Sequence, residues 1–139
     1  MLDANCKIVF VYISMYNNSQ LQYKEYILKK KELMQEIDNI VFNEKGLVLC
    51  VVQSSSNNEV LMMAWMSKET FMITINSGYA TYWSRSREEI WVKGKSSGNK
   101  QKVNEINIDC DKDCVLLKVE QKGVACHTGK WSCFFNKLV

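Results

Sequence analysis

The chain reads as an α+β domain, strand-rich and mixed, with one or two short helices. Three observations predict this. Apolar runs of strand length recur from about Ile40 to the C-terminus, only two stretches carry helical spacing, and proline is absent, so that glycine, asparagine and serine must supply the turns. At 139 residues with 47% hydrophobic content the chain can fill one core.

Taken in order, "CKIVFVYIS" is a short strand, and its apolar run is far short of the roughly 20 residues that span a bilayer. "SQLQYKEYILKKKELMQEID" is a helix with Ser19 as its cap, apolar or aromatic residues at Tyr23, Tyr26, Ile27, Met34 and Ile37, and a solvated Lys29–Lys31 face. "GLVLCVVQ" and "EVLMMAWM" form a hairpin of two largely buried strands across the polar turn "SSSNN". "SKETFMITINSG" is a short helix: Ser67 caps it, Glu69 lies in the first turn, and Gly78 follows its end. "ATYWSRSR", "EIWVKG", "QKVNEINIDCD", "CVLLKVEQ" and "CFFNKLV" follow as strands.

The formal charge of +3 is too weak to imply a nucleic-acid partner and is compatible with a phosphorylated small molecule. Six cysteines fall below the density of a disulfide scaffold, and no secretory signal is visible. Reduced thiols and a cytoplasmic location are therefore expected, with no membrane association.

The chemistry concentrates in two stretches. In "IDCDKDC", read as a strand end, Asp109, Asp111 and Asp113 share one face and Cys110 points to the other, the alternative being a solvated acidic turn. Carboxylates held that close repel unless a hard cation such as Mg2+ or Ca2+ sits between them, whereas the thiolate suits zinc. In "GVACHTGKWSCFF", Cys126 and Cys133 join His127, the only histidine, with Gly123 and Gly129 bracketing a loop able to wrap an ion. Cys110, Cys126 and Cys133 supply three thiolates, the number a catalytic zinc site uses, but by alternation Cys114 faces the same way as Cys110 and would close the site as a structural one. Both readings stand on spacing. Histidine is the residue type that exchanges protons most readily near neutrality, so His127 is the candidate proton shuttle.

Two more stretches point to an aromatic, anionic ligand. In "WSRSR", strand alternation sets Arg85 and Arg87 on one face with Trp83, offering guanidinium forks beside an aromatic plane. In "KGKSSGNK", Ser96, Ser97, Gly98 and Asn99 offer amides and hydroxyls to an anion.

The collinear motifs "EVLMMAWM", "YWSRSREEIWVKGKSSGNKQKV", "IDCDKDC" with "LLKVEQ", and "ACHTGKWSCFF" closely resemble the phosphoribosyl-AMP cyclohydrolases of histidine biosynthesis, over roughly Ile40 to Phe135. The resemblance implies hydrolytic opening of the substrate's adenine ring at the C6–N1 bond by a zinc-activated water. It implies an intertwined homodimer with one Zn2+ per subunit, held by Cys126 and Cys133 of one chain and Cys110 of the other, and Mg2+ on Asp109, Asp111 and Asp113. His127 would be catalytic, while Trp83, Arg85, Arg87 and Ser96 to Asn99 would bind substrate. The chain departs from the family pattern at Ser54 after Gln53, at Asn58 in place of a turn glycine, and at Cys114, which is read as a buried thiol. Residues 1–39 lie outside the resemblance as an extension, and 40–139 form the cyclohydrolase domain. Two rivals are a zinc-stabilised nucleotide- or nucleic-acid-binding module and a zinc deaminase, whose histidine-x-glutamate and C-x-x-C signature the chain lacks.

Overall fold

A computed structural model describes residues 20–139. It contains helix α1 (Gln20–Asp38), strands β1 (Leu47–Ser54) and β2 (Val60–Ser67), helix α2 (Lys68–Ser77), and strands β3 (Thr81–Ser84), β4 (Glu89–Val92), β5 (Gln101–Ile108) and β6 (Cys114–Gln121). The chain falls into two compact units, one ending at Ile40 and the other running Val41–Val139. In the first, α1 bears the stacked rings of Tyr23 and Tyr26, 6.4 Å apart. The strand expected over Cys6–Ser14 and the Ser19 cap lie outside the described residues. No described helix is long and apolar enough to cross a membrane.

The second unit is a single six-stranded mixed sheet in the order β4-β3-β2-β1-β6-β5. β1 and β2 form the expected antiparallel hairpin. Its turn uses Asn58 at φ 61°, a left-handed conformation that asparagine tolerates better than most residues. β6 returns parallel to β1, Cys114 opposite Leu49 and Val119 opposite Ser54. The sheet then curls until its first and last parts meet: Tyr79 bridges Lys102, Ala80 N–H donates to the Gln101 carbonyl at 2.9 Å, and Val103 N–H to the Gly78 carbonyl at 2.8 Å.

The concave face holds the core. Val48, Cys50 and Val52 of β1, Met62, Ala64 and Met66 of β2, and Val115, Leu117 and Val119 of β6 are all buried, the period-2 alternation of a one-sided sheet. Helix α2 contributes Phe71, Thr70 and Thr74 to the buried set. Its start is a reciprocal cap in which Ser67 Oγ accepts the Thr70 N–H at 3.2 Å and Thr70 Oγ1 accepts the Ser67 N–H at 2.9 Å. Gly78, at φ 72°, ends it as expected.

β1 and β2 are largely buried, as expected: on the face away from Val48, Cys50 and Val52, Leu47 and Leu61 are buried, Leu49, Val51 and Trp65 half-buried and Met63 exposed. The structure corrects two expectations. The stretch "CFFNKLV" forms no strand: the Cys133 N–H bonds to the Leu61 carbonyl, and Phe134–Val139 run on exposed with no ladder among the described residues. β3 ends at Ser84, so Arg85 and Arg87 stand in the turn before β4 rather than on a strand face with Trp83.

A buried polar chain crosses the seam. Tyr82 OH donates to Gln101 Oε1 at 2.6 Å, Gln101 Nε2 donates to Gln121 Oε1 at 2.7 Å, and Gln121 Nε2 donates to the Lys122 carbonyl at 2.8 Å. Removing its first donor leaves a buried acceptor unpaired. We expect Tyr82→Phe to lower the unfolding free energy in urea by about 1–3 kcal/mol, with Ser67→Ala, at the half-buried α2 cap, costing about 1 kcal/mol.

Candidate metal centre

The seam positions the loop that carries Cys126 and Cys133. Lys122 N–H donates to the Lys100 carbonyl at 2.9 Å, which ties the start of this loop to the chain leading into β5. A tight turn follows, in which Cys126 N–H donates to the Lys130 carbonyl and Gly129 N–H to the Cys126 carbonyl, both at 3.1 Å. Cys133 is anchored separately: its N–H donates to the Leu61 carbonyl of β2 at 2.7 Å, beside Ser132 Oγ, which donates to the Val60 carbonyl at 2.8 Å. These two anchors bring the thiols of Cys126 and Cys133 within hydrogen-bonding reach of each other.

Their surroundings differ. Thr128 Oγ1 donates to Cys126 Sγ at 3.0 Å, and this hydroxyl, with the Thr128 backbone and the nearby Lys93 ammonium, holds the Cys126 thiol below its ordinary range. Burial pushes the Cys133 thiol up, and its contact with Cys126 adds to this. One low and one raised thiol side by side are two soft donors in the state a divalent cation completes, since a bound cation favours both thiolates. His127 is exposed on the turn next to Cys126.

The acidic stretch forms a second centre, by a route other than strand alternation. β5 ends at Ile108, and residues 109–113 turn back into β6: Asp109 N–H donates to the Cys114 carbonyl at 3.1 Å, Asp109 Oδ1 accepts the Cys114 N–H at 3.0 Å, and Lys112 is left-handed at φ 65°. The turn gathers Asp109, Asp111 and Asp113 so that one carboxylate oxygen from each lies within 4.8 Å of the others. All three are exposed. The Asp111 carboxylate, followed by Asp109, raises the Asp113 carboxyl above its ordinary range, the mark of like charges that a hard cation would relieve.

Cys110 stays at this acidic end, exposed. Among the described residues the aspartates are the only metal-type trio, so Cys110 does not join Cys126 and Cys133 within one chain. Register explains the separation. The turn opens into β6 at Cys114, opposite Leu49, whereas Leu61 lies beyond the Val52–Met62 pair; three to four residues at about 3.3 Å each put the two ends about 10–13 Å apart along the strands. Cys114 is half-buried at the same end as Cys110, and burial raises its thiol, with Asp109 adding to the effect.

The model of the phosphoribosyl-AMP cyclohydrolase family matches residues 62–135. Among curated proteins, the phosphoribosyl-AMP cyclohydrolase of Chlorobium phaeobacteroides is 53% identical over 102 residues, 73% of this chain and 74% of the relative. That of Marinobacter nauticus is 52% identical over 103 residues, 73% and 75% of the two chains, and that of Herminiimonas arsenicoxydans 53% over 103 residues, 73% and 77%. The chain belongs to the phosphoribosyl-AMP cyclohydrolase family.

In this cyclohydrolase fold the other sequence-derived candidates separate into groups. Arg85 lays its guanidinium over the Trp65 ring, 4.9 Å from the centroid, and Trp65 is the register partner of Trp83. Arg87 is turned away into a 3.2 Å ion pair with Glu89, and its Nε donates to Ser84 Oγ at 3.2 Å. Ser96, Ser97 and Gly98 are exposed at a loop tip. Asn99 sets its amide oxygen where a Cβ on the left-handed Gly123 would lie, and so links this loop to the cysteine loop.

Sequence reasoning passed over Lys93, which is only 6% exposed. The available signal was its position inside "IWVKG", a lysine continuing an apolar strand. It also passed over Thr128 and Gln101, whose roles depend on partners distant in sequence or on loop geometry. The Thr128 contact yields a direct expectation: in the metal-free protein, Thr128→Val shifts ionisation of the Cys126 thiol to higher pH, followed by thiolate absorbance in a variant retaining Cys126 as the only titrating difference.

Proposed function

We propose that this chain hydrolyses phosphoribosyl-AMP in L-histidine biosynthesis, opening the adenine ring at C6–N1, and that it does so as a homodimer whose zinc sites are shared. The observation that carries the reading is the split of the thiols: Cys126 and Cys133 meet in one chain while Cys110 stands at the far end of the same sheet. Two soft donors fit zinc but fall short of the three protein ligands of a catalytic site. Cys110 of the partner subunit supplies the third. The outer sheet face supports a second copy, since Leu49, Val51, Met63 and Trp65 leave an apolar surface incompletely covered.

The donor sets fit two metals, soft thiolates for Zn2+ and clustered carboxylates for Mg2+. Zinc, when bound, supplies a water whose pKa is lowered towards roughly 7. The remaining work belongs to the chain. His127 takes the proton from the oxygen added at C6 and returns it to N1 as the C6–N1 bond breaks, so the ring opens without a covalent enzyme intermediate. Arg85, stacked on Trp65 and without a carboxylate partner among the described residues, offers its guanidinium to a phosphate. The exposed Ser96–Gly98 tip adds hydroxyls and amides, whereas Arg87 first has to release Glu89.

A spectrophotometric ring-opening assay tests the reading. Chelator, Cys126→Ala and Cys133→Ala are expected to abolish turnover, and His127→Ala to lower kcat by about 10²–10⁴-fold. Chains carrying Cys110→Ala and chains carrying Cys126→Ala, each inactive, should recover about one quarter of the wild-type sites when unfolded together, refolded and reassembled, because a mixed dimer rebuilds one complete site of its two. No recovery with both variants folded and dimeric would rule out the shared site. Zinc binding and folding without turnover would favour a metal-stabilised binding module.

A further inference from the structure

We infer that Thr128 is a positioning residue of the Cys126–Cys133 centre: its hydroxyl, donating to Cys126 Sγ, holds that sulfur ready for a metal and stays bonded to it in the loaded site. The inference rests on the zinc reading above and concerns a residue outside the ligand set.

The backbone brings the hydroxyl to the sulfur. Ala125 N–H donates to the Trp131 carbonyl and Cys126 N–H to the Lys130 carbonyl, both at 3.1 Å, so the two arms of the loop are paired. Gly129 N–H donates to the Cys126 carbonyl at 3.1 Å and closes a turn in which Gly129 is left-handed at φ 85°. Thr128 precedes that glycine, and its side chain folds back until Oγ1 lies 3.0 Å from Cys126 Sγ. Cys126 is buried but Thr128 is exposed, so core packing does not hold the threonine side chain; its bond to sulfur does.

A hydroxyl has one hydrogen to give, and a thiolate can only accept. The bond therefore strengthens when Cys126 gives up its proton to bind a cation. A metal-bound thiolate keeps lone pairs that the metal does not use, so the hydroxyl need not leave. There it has two effects. It fixes the Cys126 side chain in one rotamer beforehand, so less freedom is lost on binding. It also draws negative charge off the sulfur, which matters where several thiolates share one cation. Valine has the shape of threonine without the hydroxyl, so both effects are separable from the packing of the turn.

Two readouts test this on the full chain: zinc affinity by competition with a chromophoric chelator, and the sulfur-to-metal charge-transfer absorption of the Co2+-loaded protein. Thr128→Val is expected to weaken zinc binding by about tenfold or more and to move the charge-transfer band to longer wavelength. Thr128→Ser, which keeps the hydroxyl, is expected to stay closer to wild type than to the valine variant in both. Melting curves confirm folding, and Thr128→Ala takes the place of the valine variant should that fail to fold. A smaller loss of affinity in the folded valine variant overturns the inference. So does an unmoved band, which makes Thr128 a structural part of the turn alone, and so does a serine variant as impaired as the valine one. Cys126→Ala separates the two levels of failure. If it binds zinc as tightly as wild type, the zinc reading falls and the inference with it; if it loses zinc while Thr128→Val does not, the inference alone falls.

Discussion

Closure of the sheet between Gly78–Ala80 and Gln101–Val103 is the constraint on which the remainder of the second unit depends. Without it β4 and β5 would be the far edges of an open sheet, and the loops after β4 and β6 would have no reason to meet. With it, Lys93 and Gln101 stand on adjoining segments, Lys122 bonds to Lys100, and Asn99 lies against Gly123. The buried Tyr82–Gln101–Gln121 chain sits at this seam. A satisfied buried polar network rigidifies the place it crosses, and here that place supports the cysteine loop.

Electrostatic strain is distributed over the fold in a way that cations would relieve. The carboxylates of Asp109, Asp111 and Asp113 crowd at one end of β6, and the paired thiols of Cys126 and Cys133 crowd beyond its other end. Neither cluster is stabilised by being alone. The aspartates repel in water, where the cost is modest; at the thiols, of which Cys126 is buried and Cys133 exposed, the chain supplies a hydroxyl from Thr128. Hard oxygen donors and soft sulfur donors are thus kept apart, which suits two metals of different character.

The hairpin, the α2 helix with both its caps, the asparagine turn at Asn58 and the identity of the metal-type residues were legible in the sequence because each rests on local rules: apolar runs bounded by polar turns, a cap hydroxyl, a left-handed position. The acidic trio was also legible, although for the wrong backbone reason, since a turn with Lys112 at positive φ gathers the carboxylates that strand alternation had seemed to align. Arg85 and Arg87 were misplaced for the same cause: period-2 patterning says nothing about where a strand stops, and β3 stops at Ser84. "CFFNKLV" has the composition of a strand, but after the Cys133 bond to Leu61 it joins no ladder among the described residues.

By itself, then, the sequence determined the α+β class, the order of most elements and the donor chemistry of two candidate metal centres, because propensity, capping and ligand type are properties of residues and their near neighbours. Only the tertiary structure decided which donors meet. Cys126 and Cys133 are brought together by bonds to Lys130 and to Leu61, and Cys110 is kept from them by the length of the β1–β6 ladder. Each of these depends on register and curvature, which are set by pairing between segments far apart in the chain.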